Sequence, residues 1–281
     1  TVTLAGGTLD LVGKDGAASG EQVGALTLNV GASTLNVVNG AGAGSSSVLT
    51  FNGAITRTAG TLNITSSGAG VLGASGNAPR VLFLGATNNS VLPGVVVGGG
   101  SVAFYDQVLG VRALPLSEQS VFNGDANQSA LPNYGLKFTS SSSSQTLTAP
   151  RSIGALTVEG PGSGKWIELG SGRTSGNSLT ITSGNLLLNG SDSFEIKRTA
   201  GPIDAFITPL GSVTAGGVPL TVWVNQPGSV LTVSAPISGT GGFNKSGPGT
   251  VVLSGNNVYT GGTFLNEGTL RVGGSAVMSY G

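Results

Sequence analysis

The chain has 281 residues, 50 of them Gly, with no Cys, no His, and 12 basic side chains against 12 acidic ones, so its formal net charge is zero. Without Cys or His there is no disulfide framework, no thiolate or imidazole metal site, and no imidazole to serve a Ser-His nucleophile. Charged residues are 9% of the chain, against about a quarter in an ordinary soluble domain; Ser, Thr, Asn and Gly must cover the surface, and nucleic acid finds no basic patch beyond Lys197-Arg198.

The chain begins inside what reads as a strand, Thr1-Val-Thr-Leu, which suggests a processed product or one piece of a longer chain. Residues 1 to 40 then alternate apolar and polar: Gly7-Thr-Leu-Asp-Leu-Val, Ala25-Leu-Thr-Leu-Asn-Val, Thr34-Leu-Asn-Val-Val. Period-two patterning that recurs across Gly-rich gaps predicts one short strand after another. Ala41-Gly-Ala-Gly-Ser-Ser-Ser is a turn, and the series resumes at Val48-Leu-Thr-Phe, Ile55-Thr-Arg-Thr-Ala-Gly, Thr61-Leu-Asn-Ile-Thr, Arg80-Val-Leu-Phe-Leu, Val95-Val-Val and Ser101-Val-Ala-Phe-Tyr. From Asp106 to Pro132 the pattern loosens, and the stretch is expected to leave the regular structure with at most one short helical turn. Ser140 to Ser144 reads as a flexible connector, with a serine ladder as the alternative. No stretch of about 18 apolar residues occurs, so no membrane span is expected in this chain.

The sequence also resembles itself. Val23-Gly-Ala-Leu-Thr-Leu returns as Ile153-Gly-Ala-Leu-Thr-Val, Ile55-Thr-Arg-Thr-Ala-Gly as Ile196-Lys-Arg-Thr-Ala-Gly, and Ser90-Val-Leu as Ser229-Val-Leu. The order is kept, which suggests two long repeat units with a short element appended. The expected division is 1–116 as a first solenoid unit, 117–150 as an irregular excursion with the Ser-rich connector, 151–243 as a second unit, and 244–281 as the appended repeat.

Near the C-terminal end the turn chemistry is densest. Segments Thr250 to Leu253, Thr263 to Leu265 and Thr269 to Val272 are separated by Gly-Pro-Gly, Ser-Gly-Asn-Asn and Asn-Glu-Gly. Strands this short, closed by Gly or Asn, suit a backbone that turns a corner every few residues and stacks coil on coil. Gly247, Gly249, Thr250, Leu253, Gly255, Asn257, Tyr259, Thr260, Gly261, Gly262, Thr263, Gly268, Thr269, Leu270, Val272 and Gly273 follow the pattern of the autotransporter-associated β-strand repeat, and the run resembles that family. The resemblance implies an exported, passenger-type, right-handed parallel β-helix displayed at the cell surface. More loosely, the stretch from Ile55 to Leu114 is similar to spacers between such repeats in large bacterial surface proteins.

A search for chemistry finds little. Gly160-Pro-Gly-Ser-Gly-Lys165 has a phosphate-loop look, yet Trp166 and a strand follow where Ser/Thr and a helix are needed, so it reads as a turn. Lys14, Lys137, Lys165, Lys197 and Lys245 are all read in polar turn contexts. The acids (Asp10, Asp15, Glu21, Asp106, Glu118, Asp125, Glu159, Glu168, Asp192, Glu195, Asp204 and Glu267) are scattered. The nearest pair, Asp192 and Glu195, is expected in a solvated loop. Most aromatics are expected in core stacks, with Tyr105, Tyr134 and Trp166 as candidates for a sugar platform.

The reading is an all-β, single-stranded parallel β-helix, a single elongated β-solenoid of roughly 12–14 coils, about 60 Å long at roughly 4.8 Å for each coil. No enzyme activity, cofactor, metal or nucleic-acid partner is expected. The function expected is a structural fibre outside the cell, self-associating end to end. The alternative is an adhesin or glycan-binding passenger, with a polysaccharide lyase or hydrolase third.

Overall fold

A computed structural model describes residues 1–122, 135–171, 177–199, 213–215 and 217–273. Asp125, Tyr134, Asp204 and Phe206 lie outside the described residues. Within them the chain is β throughout, apart from one 3-10 turn at Leu116–Glu118, which falls in the stretch where a short helical turn was expected. It divides into two compact units, Thr1–Pro115 and Leu116–Gly281.

In the first unit each coil carries three strands. The first coil is β1 (Val2–Leu4), β2 (Gly7–Val12) and β3 (Ala18–Gly24). The second is β4 (Leu26–Leu28), β5 (Ala32–Val38) and β6 (Ser46–Asn52), and the third is β7 (Thr56–Arg57), β8 (Thr61–Ser67) and β9 (Arg80–Phe83). Each strand pairs in parallel with its counterpart one coil on, giving the sheets β1-β4-β7, β2-β5-β8 and β3-β6-β9. Period-two alternation fixes which side chains turn inward. In β5, Ser33, Leu35 and Val37 are buried while Thr34, Asn36 and Val38 face outward. Register then stacks like on like: Leu9 on Leu35 on Ile64, and Phe51 on Phe83 with ring centroids 5.1 Å apart. Each such buried Leu, Ile, Val or Phe contributes about 1.5–3 kcal/mol relative to exposure.

The coil pattern then stops. β10 (Ser90–Val97) joins β8 in parallel, but β11 (Ser101–Asp106) runs antiparallel to β10 and β12 (Gly110–Ala113) antiparallel to β11. The departure from regular coils therefore begins at Gly98-Gly-Gly100, ahead of the expected Asp106. Gly98 and Gly99 have φ of 60° and 68°, and a tight glycine turn reverses a strand where a corner would have carried it round the coil.

The second unit is parallel throughout its described strands. After β13 (Ser120–Val121) come β14 (Gly135–Thr139), β15 (Gln145–Thr146) and β16 (Arg151–Ile153). The next coil is β17 (Ala155–Glu159), β18 (Lys165–Ser171) and β19 (Leu179–Ile181), and the one after is β20 (Asn185–Asn189), β21 (Ser193–Thr199) and β22 (Val213–Ala215). Then follow β23 (Leu220–Val224), β24 (Val230–Val233) and β25 (Ile237–Ser238), and after them β26 (Phe243–Ser246), β27 (Thr250–Leu253), β28 (Thr263–Leu265) and β29 (Thr269–Val272). Three sheets result: β13-β14-β17-β20-β23-β26-β28, β15-β18-β21-β24-β27-β29 and β16-β19-β22-β25. The apolar column is built as in the first unit, with Ile167, Ile196, Val233 and Leu253 in register. Apart from the β10–β12 meander, the described strands of each unit form a parallel β-solenoid.

Outward polar residues form their own ladders. Asn36 donates to Asp10 Oδ1 (3.0 Å) and accepts from Thr65 Oγ1 (3.1 Å). In the second unit Asn189 donates to both oxygens of Glu159 (3.1 and 2.9 Å) and accepts from Asn225 (2.9 Å). Cross-coil amide ladders of this kind use donors and acceptors that a solenoid otherwise exposes on every coil.

Three local expectations change. Ser140 to Ser144 forms the corner between β14 and β15, and its hydroxyls bind backbone: Ser142 Oγ accepts from Thr139 N–H (3.0 Å) and Ser144 Oγ from Trp166 N–H (3.3 Å). Glu195 lies in β21, accepting from Ser234 Oγ (2.6 Å), while Asp192 sits in the preceding turn and accepts from Gly162 N–H (3.2 Å). Of the self-similar pairs, Val23-to-Leu28 and Ile153-to-Val158 both run from the third strand of one coil into the first strand of the next. Ile55 precedes a first strand, β7, whereas Ile196 lies in a second strand, β21, so that pair is not structurally equivalent.

Candidate functional site

The motif residues collect in the β26–β29 stretch, where the strands Thr250–Leu253, Thr263–Leu265 and Thr269–Val272 have the bounds read from the sequence. Leu253 is fully buried, and Leu270 packs against the core above Val251. Between β27 and β28 the chain forms no strand, yet it stays in step: Val258 and Thr260 donate to the carbonyls of Ile237 and Gly239, both at 2.9 Å. Asn257 Oδ1 accepts from Ile237 N–H (3.0 Å), covering the end of β25 in the coil beneath. Tyr259 turns inward, its ring 6.1 Å from that of Phe243, and its hydroxyl meets Thr263 Oγ1 at 2.7 Å. Burial pushes the Tyr259 hydroxyl above its ordinary pKa, so it stays a neutral hydrogen-bonding group.

The motif glycines answer a packing demand between coils. A Cβ at Gly255 would lie 2.5 Å from the Ala235 carbonyl, and one at Gly261 2.4 Å from the Gly242 nitrogen. Gly268 is the most constrained. It has φ +74°, and a Cβ there would lie 2.3 Å from the Gly247 oxygen and 2.8 Å from Lys245 Nζ. Only a residue without a side chain lets the corner of one coil sit on the corner below. Gly249, Thr250, Thr269 and Gly273 complete the contact, with Gly249 N–H on the Val224 carbonyl, Thr250 N–H on that of Ser229, Thr269 N–H on that of Gly249 and Gly273 N–H on that of Leu253. Gly262 lies against the Phe264 ring.

Sequence reading missed Lys245. It is not in a polar turn but in β26, fully buried, in register with Val222 below and Leu265 above. Its methylene stem extends the apolar column, and its ammonium donates to the carbonyls of Ser246 (2.6 Å), Gly247 (2.6 Å) and Glu267 (3.2 Å). One cation thus clamps two successive corners. Burial lowers its pKa to about 8, opposed by the nearby Glu267 charge. The signal was present: strand alternation from inward Phe243 puts residue 245 inward, directly before the carbonyls of a Gly-Pro-Gly corner. Lys137, Lys165 and Lys197 also lie in strands, not turns.

The candidate sugar platform fares differently at each position. Tyr105 is buried and its hydroxyl is engaged, so it offers no face to a ligand. Trp166 is partly exposed in β18, with Lys197 Nζ 4.0 Å from its ring centroid. On the same sheet Glu168 and Glu195 stand at diagonal positions of neighbouring strands, each accepting from a hydroxyl of an adjoining coil, Thr146 of β15 and Ser234 just after β24 respectively. Among the described residues no three acidic side chains gather into a metal-binding group, and no helix is long and apolar enough to cross a membrane.

Comparison with known proteins agrees with this geometry. Residues 243–272 match the family described as passenger-associated-transport-repeat. The chain is 30% identical over 123 residues to the adhesin BmaC autotransporter of Brucella suis biovar 1 (strain 1330), covering 39% of this chain and 4% of that protein. It is 39% identical over 70 residues to an extracellular serine protease of Serratia marcescens, covering 25% of this chain and 7% of the protease. The chain therefore spans only a small part of the length of these relatives. No solved structure matches it. The segment from β26 to β29, with its corner glycines and buried lysine, is the part of the chain that carries the match to the passenger-associated-transport-repeat family.

Proposed function

We propose that this chain is a load-bearing stretch of an exported passenger, displayed outside the cell, whose work is mechanical extension by coil stacking. The observation that carries this reading is the continuous parallel pairing from β14 to β28 and from β15 to β29, sealed in the last coils by the Lys245 clamp and the corner glycines. Coils that contact only their neighbours add length without adding a new core. The first and last strands of such a stack offer unpaired N–H and C=O groups to a further coil, which supports end-to-end self-association as the partner mode. Negative-stain imaging of the purified chain, with sedimentation across a concentration series, tests it. Filaments or concentration-dependent linear oligomers are expected; isolated monomers at all concentrations would remove the fibre reading.

A second reading, an adhesin or glycan-binding passenger, is favoured by the similarity to the BmaC adhesin. Its place on this chain would be the outer face of the β15-β18-β21 sheet, where Trp166, Glu168, Glu195 and Lys197 concentrate polar and aromatic groups. Glycan-array binding by the wild type that is lost in Trp166→Ala supports it, and a blank array removes it.

A further inference from the structure

The first unit ends in something a solenoid coil does not contain. Phe83 is in β9, the last strand of the β3-β6-β9 sheet, and in a continuing stack its N–H and C=O would pair with the next coil. One side chain instead takes the N–H, and it shares the carbonyl with the Ala86 N–H of the turn after β9 (3.1 Å). The Tyr105 hydroxyl accepts from Phe83 N–H (3.1 Å) and donates to the Phe83 carbonyl (2.8 Å). A hydroxyl is the smallest group that supplies one donor and one acceptor, as a peptide of the next coil would. The Tyr105 ring also takes the next place in the aromatic column, 6.3 Å from Phe83, which stacks on Phe51.

The rest of the meander closes the same end. Ala103, Tyr105 and Val111 join the buried cluster that holds Phe51, Phe83, Leu62 and Ile64. Gly110 in β12 comes so close to β9 that a Cβ there would lie 2.4 Å from the Val81 carbonyl. The segment between β8 and β9 contributes Leu72 to the cluster, and Gly73 fits under Val111 and Arg112. Asp106 holds the β11–β12 turn by accepting from Val108 and Leu109 N–H, both at 2.7 Å.

We propose that the β10–β12 meander is a built-in stop that occupies the position of a fourth coil on the first unit, latched by Tyr105. It bars a parallel coil, including one from a second copy of this chain, from adding at that end. End-to-end growth, on which the proposed function rests, must then use other strand edges. The latch itself does not depend on whether the chain forms fibres.

Hydrogen–deuterium exchange on the full chain separates the two questions. Tyr105→Phe keeps the ring and removes only the hydroxyl. The Phe83 amide should exchange at least about fivefold faster, the equivalent of one ordinary hydrogen bond, while the amides of β6 keep their protection. Equal Phe83 exchange in both chains overturns the latch, as does fast exchange in the wild type. Tyr105→Ala removes ring and hydroxyl together and should add concentration-dependent oligomers in sedimentation. A Tyr105→Ala chain whose Phe83 amide has become labile but which gains no association beyond the wild type overturns the barring role, and association that appears only with that lability supports it.

Discussion

The two units start from the same coil and finish it differently. In the first, three coils are followed by a strand reversal at Gly98-Gly-Gly100, and a tyrosine hydroxyl takes the hydrogen bonds that a further coil would have made. In the second, parallel pairing runs on through the transport repeat, and glycines at the corners let backbone rest on backbone. The contrast shows that a solenoid's length is set locally. One strand reversal ends the regular coils, and one lysine at the right register ties successive corners together.

The sharpest way to break the continuing end is to fill its corner. Gly268→Val places a branched side chain at φ +74° and against the Gly247 carbonyl; it should destabilise the chain by about 3 kcal/mol or more in urea unfolding. Gly164→Ala, at φ +71° with nothing within 4 Å, isolates the backbone strain and should cost about 1 kcal/mol. Equal effects would mean that coil contact plays no part.

Removing the clamp comes next. Lys245→Ala leaves a cavity and three carbonyls without their donor and should cost about 3 kcal/mol, with Lys245→Met, which keeps most of the stem, at roughly half that. The pH profile is the finer test. The folded pKa is about 8 against an ordinary 10.5, so between those values the unfolded chain binds more protons than the folded one and stability rises with pH. Wild type should gain stability across that window relative to Lys245→Met; parallel profiles would place the ammonium in solvent.

At the closed end the expected effects are smaller. Asp106 is held below its ordinary pKa by hydrogen bonds from Leu109 and Val108. Its contribution is present above about pH 4, the ordinary aspartate value, and is lost as pH falls through the lowered one. Asp106→Ala should cost about 1 kcal/mol at neutral pH and speed amide exchange in β11 and β12, with the difference from wild type fading in acid. Smallest is Asn36→Ala on the exposed Asp10–Asn36–Thr65 ladder, at about 0.5 kcal/mol, measured by thermal unfolding. An effect as large as that of Lys245→Ala would show that the outer ladders, rather than the core, hold the coils in register.

Much of this was legible along the chain. Alternation in Thr34-Leu-Asn-Val-Val and in Thr250-Val-Val-Leu fixed the inward faces, and the bounds of β27 to β29 followed from their Gly and Asn punctuation. The reversal at Gly98-Gly-Gly100 carried its own signal, since two apolar runs separated by a few glycines form a hairpin pattern. It was passed over because Val95-Val-Val and Ser101-Val-Ala-Phe-Tyr were read as two more strands of the same series. Lys245 was misread because a charged residue beside Ser246-Gly247-Pro248 looks like surface, although its parity with Phe243 places it inside.

What the sequence by itself determined is the run of short strands: period-two side chains need a covered face, and dense Gly and Asn permit the tight turns, while the parallel stack was what the resemblance to the β-strand repeat implied. What only the tertiary structure decided is where each stack ends and what occupies its edges. Tyr105 reaches Phe83 across 22 residues, and Lys245 reaches Glu267 across 22. Contacts between coils depend on the register of one coil over the next, and no local pattern states that register until the backbone has been wound.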